Sequence, residues 1–313
     1  MSSVTIIVPA YNEGAAFGAS LTTLADYFAM HRGNEFEFHY LIVDDGSSDE
    51  TFEAAQRFAR WRENVRVLRH ERNRGLGAAL RTAFAKTDTD VAVVLDADLS
   101  YSPAIAMDLI ESLEREGADI ALASAYMPGG SVVNVPIVRR VLSREANRLL
   151  SLATSGRYAT LTCMVRAYRT EAAKRLEFRS DGMIAIPEML LNALRQKLRV
   201  IERPATLQWS KERAAQVRGF NFTRAAKQTS STIGLAFHHR PALWLAVPGL
   251  FPGLLPLVVA ILLIMRVPPA TLAIGTTITI VVQYTSLALF TGQLVAFFGR
   301  KLSSKRLRSN GAT

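Results

Sequence analysis

Short apolar runs alternate along the chain with longer segments in which apolar residues recur every three or four positions. Val4–Val8 (VTIIV) is a β-branched run that predicts a strand stopping at Pro9. Phe17, Leu21, Leu24 and Phe28 then share one face of a helix predicted over 14–30. Tyr40–Val43 predicts a second strand, closed by Asp44-Asp45-Gly46-Ser47, with Asp49 placed to cap a helix running to Arg62. Val65–Leu68 predicts a third strand and 77–85 a helix. Val91–Leu95 (VAVVL) is continuously apolar, as expected of a strand buried on both faces. Beyond it the pattern predicts helices over 104–116, 139–154 and 186–196, strands at Ile120–Ser124 and Val200–Ile201, and a turn at Met127-Pro128-Gly129-Gly130.

Strands that alternate with helices imply βαβ units and an α/β domain with a mostly parallel sheet. Such sheets bind ligands beyond the carboxyl ends of their strands. The polar clusters of this chain fall at those ends: Tyr11-Asn12-Glu13, Asp44-Asp45 and Asp96-Ala97-Asp98.

The tail follows a different pattern. Leu243–Met265 and Val267–Gly299 contain no charged residue, and each is longer than the roughly 20 residues that span a bilayer core. Arg266-Val267-Pro268-Pro269 between them predicts the turn of a two-helix transmembrane hairpin. Lys211, Arg213, Arg218, Arg224, Lys227 and Arg240 precede it, and Arg300, Lys301, Lys305, Arg306 and Arg308 follow. By the positive-inside rule both outer ends lie in the cytoplasm. The segment from Gly219 to His239 mixes aromatic, aliphatic and basic residues as an interfacial helix does. Gly275, Thr276, Thr277 and Thr279 are small enough for close helix packing and a homo-oligomer. The expected organisation is a catalytic domain over 1–215, a juxtamembrane amphipathic segment over 216–241, two membrane helices over 242–299 and a basic tail over 300–313.

Charge and cysteine content narrow the partners. The formal net charge of +10 points to an anionic partner, but the basic residues form no long block of the kind that marks a nucleic-acid arm. Cys163 is the only cysteine, so neither an internal disulfide nor a zinc site is available. The first apolar run is too short for a signal peptide, which places the catalytic part in the cytoplasm, at the inner membrane.

The strand ends carry the candidate chemistry. Asp96 and Asp98, at i and i+2 after a buried strand, can face one divalent cation with its bound phosphates. Oxygen donors of this kind suit Mg²⁺ or Mn²⁺. Carboxylates at Asp44 and Asp45 can accept hydrogen bonds from a base or ribose; Tyr11 can stack on a base and Glu13 can reach a ribose hydroxyl. Taken singly, each of these clusters is also an ordinary polar turn. Asn73-Arg74-Gly75-Leu76-Gly77 precedes a helix, where small residues let the backbone approach an anion, without Walker or dinucleotide-loop spacing.

Together, IIVPAYNE, LIVDDGSSDET, NRGLGAALRTAF and VVLDADLS resemble the family 2 glycosyltransferases of GT-A fold. The two-span tail and VRAYRTEAAKRLEF resemble the polyprenyl-phosphate group of that family, which includes dolichyl-phosphate mannosyltransferases and undecaprenyl-phosphate glucosyltransferases. The resemblance implies metal-dependent, inverting transfer of a hexose from a UDP- or GDP-sugar to polyprenyl phosphate. It implies that Pro9, Tyr11, Glu13, Val43 and Asp45 hold the nucleoside, with Ala10, Asp44, Gly75 and Ala97 beside them. Asp96 and Asp98 would bind the metal and diphosphate, with Ser100 next to them. Lys211 and Arg213 would hold the donor or lipid phosphates, and Arg139 and Arg140 the lipid phosphate.

Four positions depart from the pattern of relatives. Ser100 stands where a glutamine is frequent, and Ala125 where an arginine precedes the PGG loop. Thr160 replaces a usual aspartate and Met164 a glycine. These changes bear on the sugar accepted. Two other readings remain open at this point: a family 2 transferase with a polysaccharide acceptor, and a non-catalytic membrane scaffold that binds nucleotide.

Overall fold

The computed structural model describes residues 2–30, 36–154 and 156–210, together with Thr277. The chain divides into two compact units, Met1–Leu235 and Ala236–Thr313, and the described residues other than Thr277 belong to the first. The expected membrane hairpin, the interfacial segment, the basic tail, Lys211 and Arg213 lie outside the described residues. Among the described residues no helix is long and apolar enough to cross a membrane.

The first half runs β1 (Ser2–Ala10), α1 (Phe17–Met30), β2 (Phe36–Asp44), α2 (Thr51–Ala59), β3 (Val65–Arg69), α3 (Leu76–Ala85) and β4 (Val91–Val94). The second half adds α4 (Pro103–Arg115), β5 (Ile120–Ser124), β6 (Ser131–Val133), α5 (Ile137–Ala153), β7 (Arg166–Arg169), α6 (Thr170–Arg175), α7 (Ala185–Arg195), β8 (Val200–Pro204) and β9 (Thr206–Gln208). A seven-stranded sheet has the order β3-β2-β1-β4-β7-β5-β8, and β6 pairs with β9 in a separate ribbon. Within the large sheet only β7 runs against its neighbours β4 and β5.

Alternation along β1 explains the layering. Val4, Ile6 and Val8 pack with Phe17, Leu21, Leu24 and Phe28 of α1 and with Leu109, Ile110 and Leu113 of α4. Ile7 points to the other face, against Leu80 and Phe84 of α3 and Ile186 and Met189 of α7. Side chains of period two in a strand therefore feed two cores, one on each side of the sheet.

Several boundaries differ from the sequence pattern for local reasons. β1 continues through Pro9 to Ala10, because β4 ends its pairing at Ile7 and only β2 flanks the last residues, Pro9 facing Val43. The helix after Asp49 begins at Thr51 and ends at Ala59, short of Arg62; Glu50, not Asp49, is the capping position and makes no side-chain cap bond, and Asp49 Oδ1 instead accepts from the Thr51 N–H two residues on, at 3.0 Å, as in an Asx turn. β7 is absent from the sequence pattern's strands because Arg166 and Arg169 interrupt a short run that otherwise reads as one; it lies inside the sheet, between β4 and β5.

Strand order places the functional end. The chain moves outward from β1 to β2 and β3, then returns to the other side of β1 at β4. The loops after β1 and β4 therefore part at their carboxyl ends, and a crevice opens between them.

Candidate functional site

A cleft of about 630 Å³ occupies that crevice. It is lined by Pro9, Ala10, Tyr11 and Glu13 after β1, Asp45 after β2, Asn73, Gly75, Leu76 and Ala79 at the start of α3, and Asp96, Ala97 and Asp98 after β4. Met164, Gly182 and Met183 close it from the second half of the domain.

The β1 and β2 loops are stitched to each other through backbone groups. The Asn12 N–H donates to Ser47 Oγ at 3.0 Å, and Asn12 Oδ1 accepts from the Ser48 N–H at 3.0 Å. The Glu13 N–H donates to Thr51 Oγ1 at 2.8 Å and the Gly14 N–H to Asp49 Oδ2 at 2.9 Å. Burial pushes the Asp49 carboxyl up, but these bonds from Thr51 and Gly14 outweigh it and hold it below the usual carboxylate range. With the main chain tied in this way, Tyr11 and Glu13 are presented to the cleft, Tyr11 with nearly half of its surface exposed.

The two aspartates after β2 have separate surroundings. Asp44 is fully buried, contacts Arg69 Nε at 3.2 Å and accepts from the Ser47 N–H; it does not line the cleft, nor does Val43, which packs in the core beside α3. Asp45 lines the cleft and accepts from the Arg74 N–H at 3.0 Å and the Gly75 N–H at 2.6 Å, with His70 Nδ1 at 2.6 Å. The anion at the amino end of α3 is thus a carboxylate of this chain. Gly75 has a second reason to be glycine. At φ 93° a Cβ there would lie 2.3 Å from the Asp181 carbonyl, because residues 180–182 cross over the start of α3.

Asp96 and Asp98 flank a tight turn in which Leu99 takes φ 53°. That value is unfavourable for a branched residue and is tolerated here because its side chain packs on the core. Ser100 is buried behind the turn. Its N–H donates to Asp98 Oδ1 at 2.9 Å and its hydroxyl lies 3.4 Å from Asp96 Oδ2. Ser100 thus fixes the two carboxylates from behind and is not among the cleft-lining residues. Burial, then the Asp96 charge, push the Cys163 thiol up to about 11, so Cys163 stays a neutral packing group and not a nucleophile.

The second half of the domain holds its side of the cleft with buried polar groups. Arg166 of β7 is completely buried; it donates to the Leu161 carbonyl at 2.7 Å and the Ile186 carbonyl at 2.9 Å, and its Nε has no hydrogen-bond partner. These bonds tie the segment carrying Met164 to the start of α7, which carries the chain away from Gly182 and Met183. Glu188 of α7 accepts from the Arg179 and Ser180 N–H groups, each at 3.0 Å. Burial raises the Glu188 pKa, but Ser180, Arg179 and the Arg81 charge outweigh it and leave it lowered. Sequence reasoning missed Arg166, Gly182 and Met183. The arginine's only signal is its place in a short run that otherwise reads as a strand.

Thr160 lies away from the cleft, in a buried polar knot. Its hydroxyl is 2.7 Å from Ser124 Oγ and accepts from the Tyr126 N–H at 3.2 Å, while its own N–H donates to Glu202 at 2.9 Å. Ala125 is buried beside it. Arg139 and Arg140 sit exposed on α5, Arg139 over the Trp209 ring at 5.5 Å; neither lines the cleft.

Similarity to known proteins follows this architecture. The sequence model of the family described as Glycosyl transferase family 2 matches residues 5–177. The dolichol-phosphate mannosyltransferase of Pyrococcus furiosus is 31% identical over 205 residues, a match covering 65% of this chain and 56% of that protein, so the chain spans little more than half of it. The polyprenol monophosphomannose synthase of Mycolicibacterium smegmatis is 31% identical over 227 residues, covering 70% of this chain and 83% of that one. Among solved structures, glucosyl-3-phosphoglycerate synthase from Mycobacterium tuberculosis, in complex with Mn²⁺, UDP and glucosyl-3-phosphoglycerate, has the same fold. The TM-score is 0.57 at 18% identity, over 76% of this chain and 80% of that one.

Proposed function

The chain belongs to glycosyl transferase family 2, and from that premise we propose that it transfers mannose from a nucleotide-sugar to a polyprenyl phosphate at the cytoplasmic face of a membrane. The observation that carries the reading is the meeting, in one strand-end cleft, of Tyr11 and Glu13, the Asp45-bound loop of Gly75, and the Asp96–Asp98 pair. The names of the two relatives support the sugar and the lipid phosphate.

The donor set fits a divalent metal. Asp96 and Asp98 offer hard oxygen ligands, and among the described residues no group of three or more His, Cys, Asp and Glu side chains gathers. Mg²⁺ and Mn²⁺ suit such a sparse site, because they complete their shells with substrate phosphates and water. The M. tuberculosis structure with Mn²⁺ and UDP supports this assignment. When bound, the ion offsets the charge on the departing nucleoside diphosphate.

The residues of the chain do the rest. Tyr11 stacks on the base and Glu13 takes the ribose. Lys211 and Arg213 hold the lipid phosphate in line with the anomeric carbon, and Arg139 and Arg140, exposed outside the cleft, attract it there by charge. A phosphate oxygen bonds to that carbon as the bond to the nucleoside diphosphate breaks on the opposite face, which inverts the centre; the leaving group takes the electron pair. No proton needs to move, because a phosphate monoester has its second pKa near about 6 and is largely a dianion at neutral pH. The charge-free runs at 243–265 and 267–299 support a hairpin that keeps enzyme and acceptor on one membrane.

The test is to incubate the full chain with a panel of UDP- and GDP-sugars, undecaprenyl phosphate and Mg²⁺ or Mn²⁺, and to analyse the lipid by mass spectrometry. A hexosyl-phosphate lipid formed with a mannose donor, and only with lipid and metal present, is expected. Donor consumption without a lipid product would rule the acceptor out.

A further inference from the structure

Successive residues at the end of β3 serve the two aspartates that follow one another at the end of β2. Side chains alternate in direction along a strand. Arg69 reaches Asp44, its Nε 3.2 Å from Oδ2, and His70 reaches Asp45, its Nδ1 2.6 Å from Oδ1. The His70 N–H donates to the Asp44 carbonyl at 2.9 Å, which fixes the main chain from which the ring projects. His70 is buried and does not itself line the cleft. Its second ring nitrogen, Nε2, lies 2.9 Å from Thr82 Oγ1 on α3. A buried imidazole thus joins a cleft carboxylate to a neighbouring helix.

The hydrogen bonds on Asp45 show what that junction can do. Oδ1 accepts from the Arg74 N–H at 3.0 Å and Oδ2 from the Gly75 N–H at 2.6 Å. Both oxygens act as acceptors, so the ring nitrogen facing Oδ1 donates: Nδ1 carries a proton, and the Thr82 hydroxyl meets Nε2. A carboxylate offers about four lone-pair positions. Two donors on Oδ1 and one on Oδ2 leave the last position on Oδ2, and Asp45 lines the cleft.

We propose that His70 is a positioning residue for the nucleoside of the donor: it fixes the rotation of the Asp45 carboxylate so that the last lone pair of Oδ2 accepts from an N–H or O–H of that nucleoside. The terminal torsion of an aspartate is broad, so the side chain alone does not set this direction. Without the Nδ1 bond, Oδ1 keeps only the Arg74 N–H, and Oδ2 loses its aim. Thr82 in turn holds the plane of the ring. The inference rests on the reading of Asp45 as a nucleoside contact and adds the side chain that gives this contact its direction.

The test separates the two ring nitrogens, in the full chain reconstituted in phospholipid nanodiscs. Asparagine places its amide nitrogen where histidine has Nδ1, and glutamine places its own near the position of Nε2. His70→Asn therefore keeps the bond to Asp45 and drops the one to Thr82, and His70→Gln does the reverse. UDP, GDP, uridine and guanosine are titrated into each variant with Mg²⁺ present. His70→Gln should weaken the preferred nucleoside and its diphosphate by the same factor, about tenfold, the scale of one hydrogen bond to a charged group. It should raise the donor KM and leave kcat nearly unchanged. His70→Asn should stay within about threefold of the wild type, since it keeps the charge-assisted bond. The opposite order would overturn the proposal, because the ring would then serve only to tie β3 to α3. Equal loss in both variants, or no loss in either, would also overturn it. A readout on the wild type needs no variant to fold. With ¹⁵N-labelled histidine, the His70 ring should be protonated on Nδ1, and its signal should move on binding of the preferred nucleotide but not of pyrophosphate, which lacks a nucleoside. A ring protonated on Nε2 alone, or one indifferent to the nucleotide, would contradict the proposal. A wild type that binds neither UDP nor GDP would bring down the nucleotide-sugar reading and this proposal with it, whereas binding without the His70 pattern overturns this proposal alone.

Discussion

Residues 2–100 and residues 101–210 face each other across the cleft and hold their loops differently. In the first half, side chains at the strand ends bind main-chain N–H groups of the neighbouring loop: Asn12 and Ser48, Thr51 and Glu13, Asp45 and Gly75. The loops are fixed and the functional side chains stand on them. In the second half the ties lie deeper and act at a distance. Arg166 bonds two carbonyls from a strand inside the sheet, and Glu202 accepts from the Thr160 N–H in a buried polar knot. One side is organised to grip a charged donor in a set geometry. The other is a wall supported from within by buried polar groups.

The comparison breaks most sharply if the pair after β4 is dispensable. Asp98→Asn keeps the shape of the turn and removes one ligand charge. Turnover should fall by about 10²–10³, the scale of losing one preorganised electrostatic group, with thermal stability near wild type. Near wild-type turnover would move the diphosphate site elsewhere.

Arg166→Met tests the second half. It removes two charge-assisted hydrogen bonds inside the domain, to the Leu161 and Ile186 carbonyls, which should lower stability by about 2–4 kcal/mol. The check is the unfolding midpoint of the reconstituted chain. A midpoint shift of the size typical for a surface substitution would show that the wall does not depend on this arginine.

Thr160→Asp asks whether restoring the acid frequent among relatives helps. Here the new carboxylate would enter the buried knot of Ser124 and Tyr126, where Glu202 already accepts from the N–H of residue 160 at 2.9 Å. A second buried carboxylate near Glu202 is costly, so a loss of about 1–3 kcal/mol and no large gain in plateau turnover are expected. A rise in turnover by orders of magnitude would show that a protein carboxylate takes part in the chemistry.

Acid should act on the loops before the core. Asp49 and Glu188 both have lowered pKa values in the folded state. Their contribution is full above the pKa values of the unfolded chain, about 4, and is lost as pH falls through the lower folded values. Amide exchange at residues 13–14 and 179–180 should accelerate under acid while β1 and β4 remain protected. Simultaneous loss of all four would show that these carboxylates are not local staples.

What could be read from the sequence divides along the same line. In residues 2–100 strand, helix and site share one logic: an apolar run ends and polar residues cluster at its end, so pattern alone located Tyr11, Glu13, Asp45, Asp96 and Asp98 around what is a single cleft. Asp44 and Ser100 show the limit. Spacing groups them with their neighbours, but Asp44 turns inward to Arg69 and Ser100 backs the aspartates. In residues 101–210 long-range pairing decides, and periodicity carries no trace of it. β7 enters the sheet reversed, between strands far from it in sequence, and is centred on a charge that pattern reading assigns to the surface. Met164 was visible as a departure from relatives; that it faces the cleft required the fold.

The claim at the centre of this account is that an acceptor phosphate, already ionised, attacks without help from a protein base. The direct measurement is the pH dependence of transfer at limiting polyprenyl phosphate. The account predicts a rise through a single ionisation near about pH 6, the second pKa of a phosphate monoester, followed by a plateau. A rate that keeps climbing steeply well above pH 7 would mean that a protein base must first lose its proton, and would contradict it.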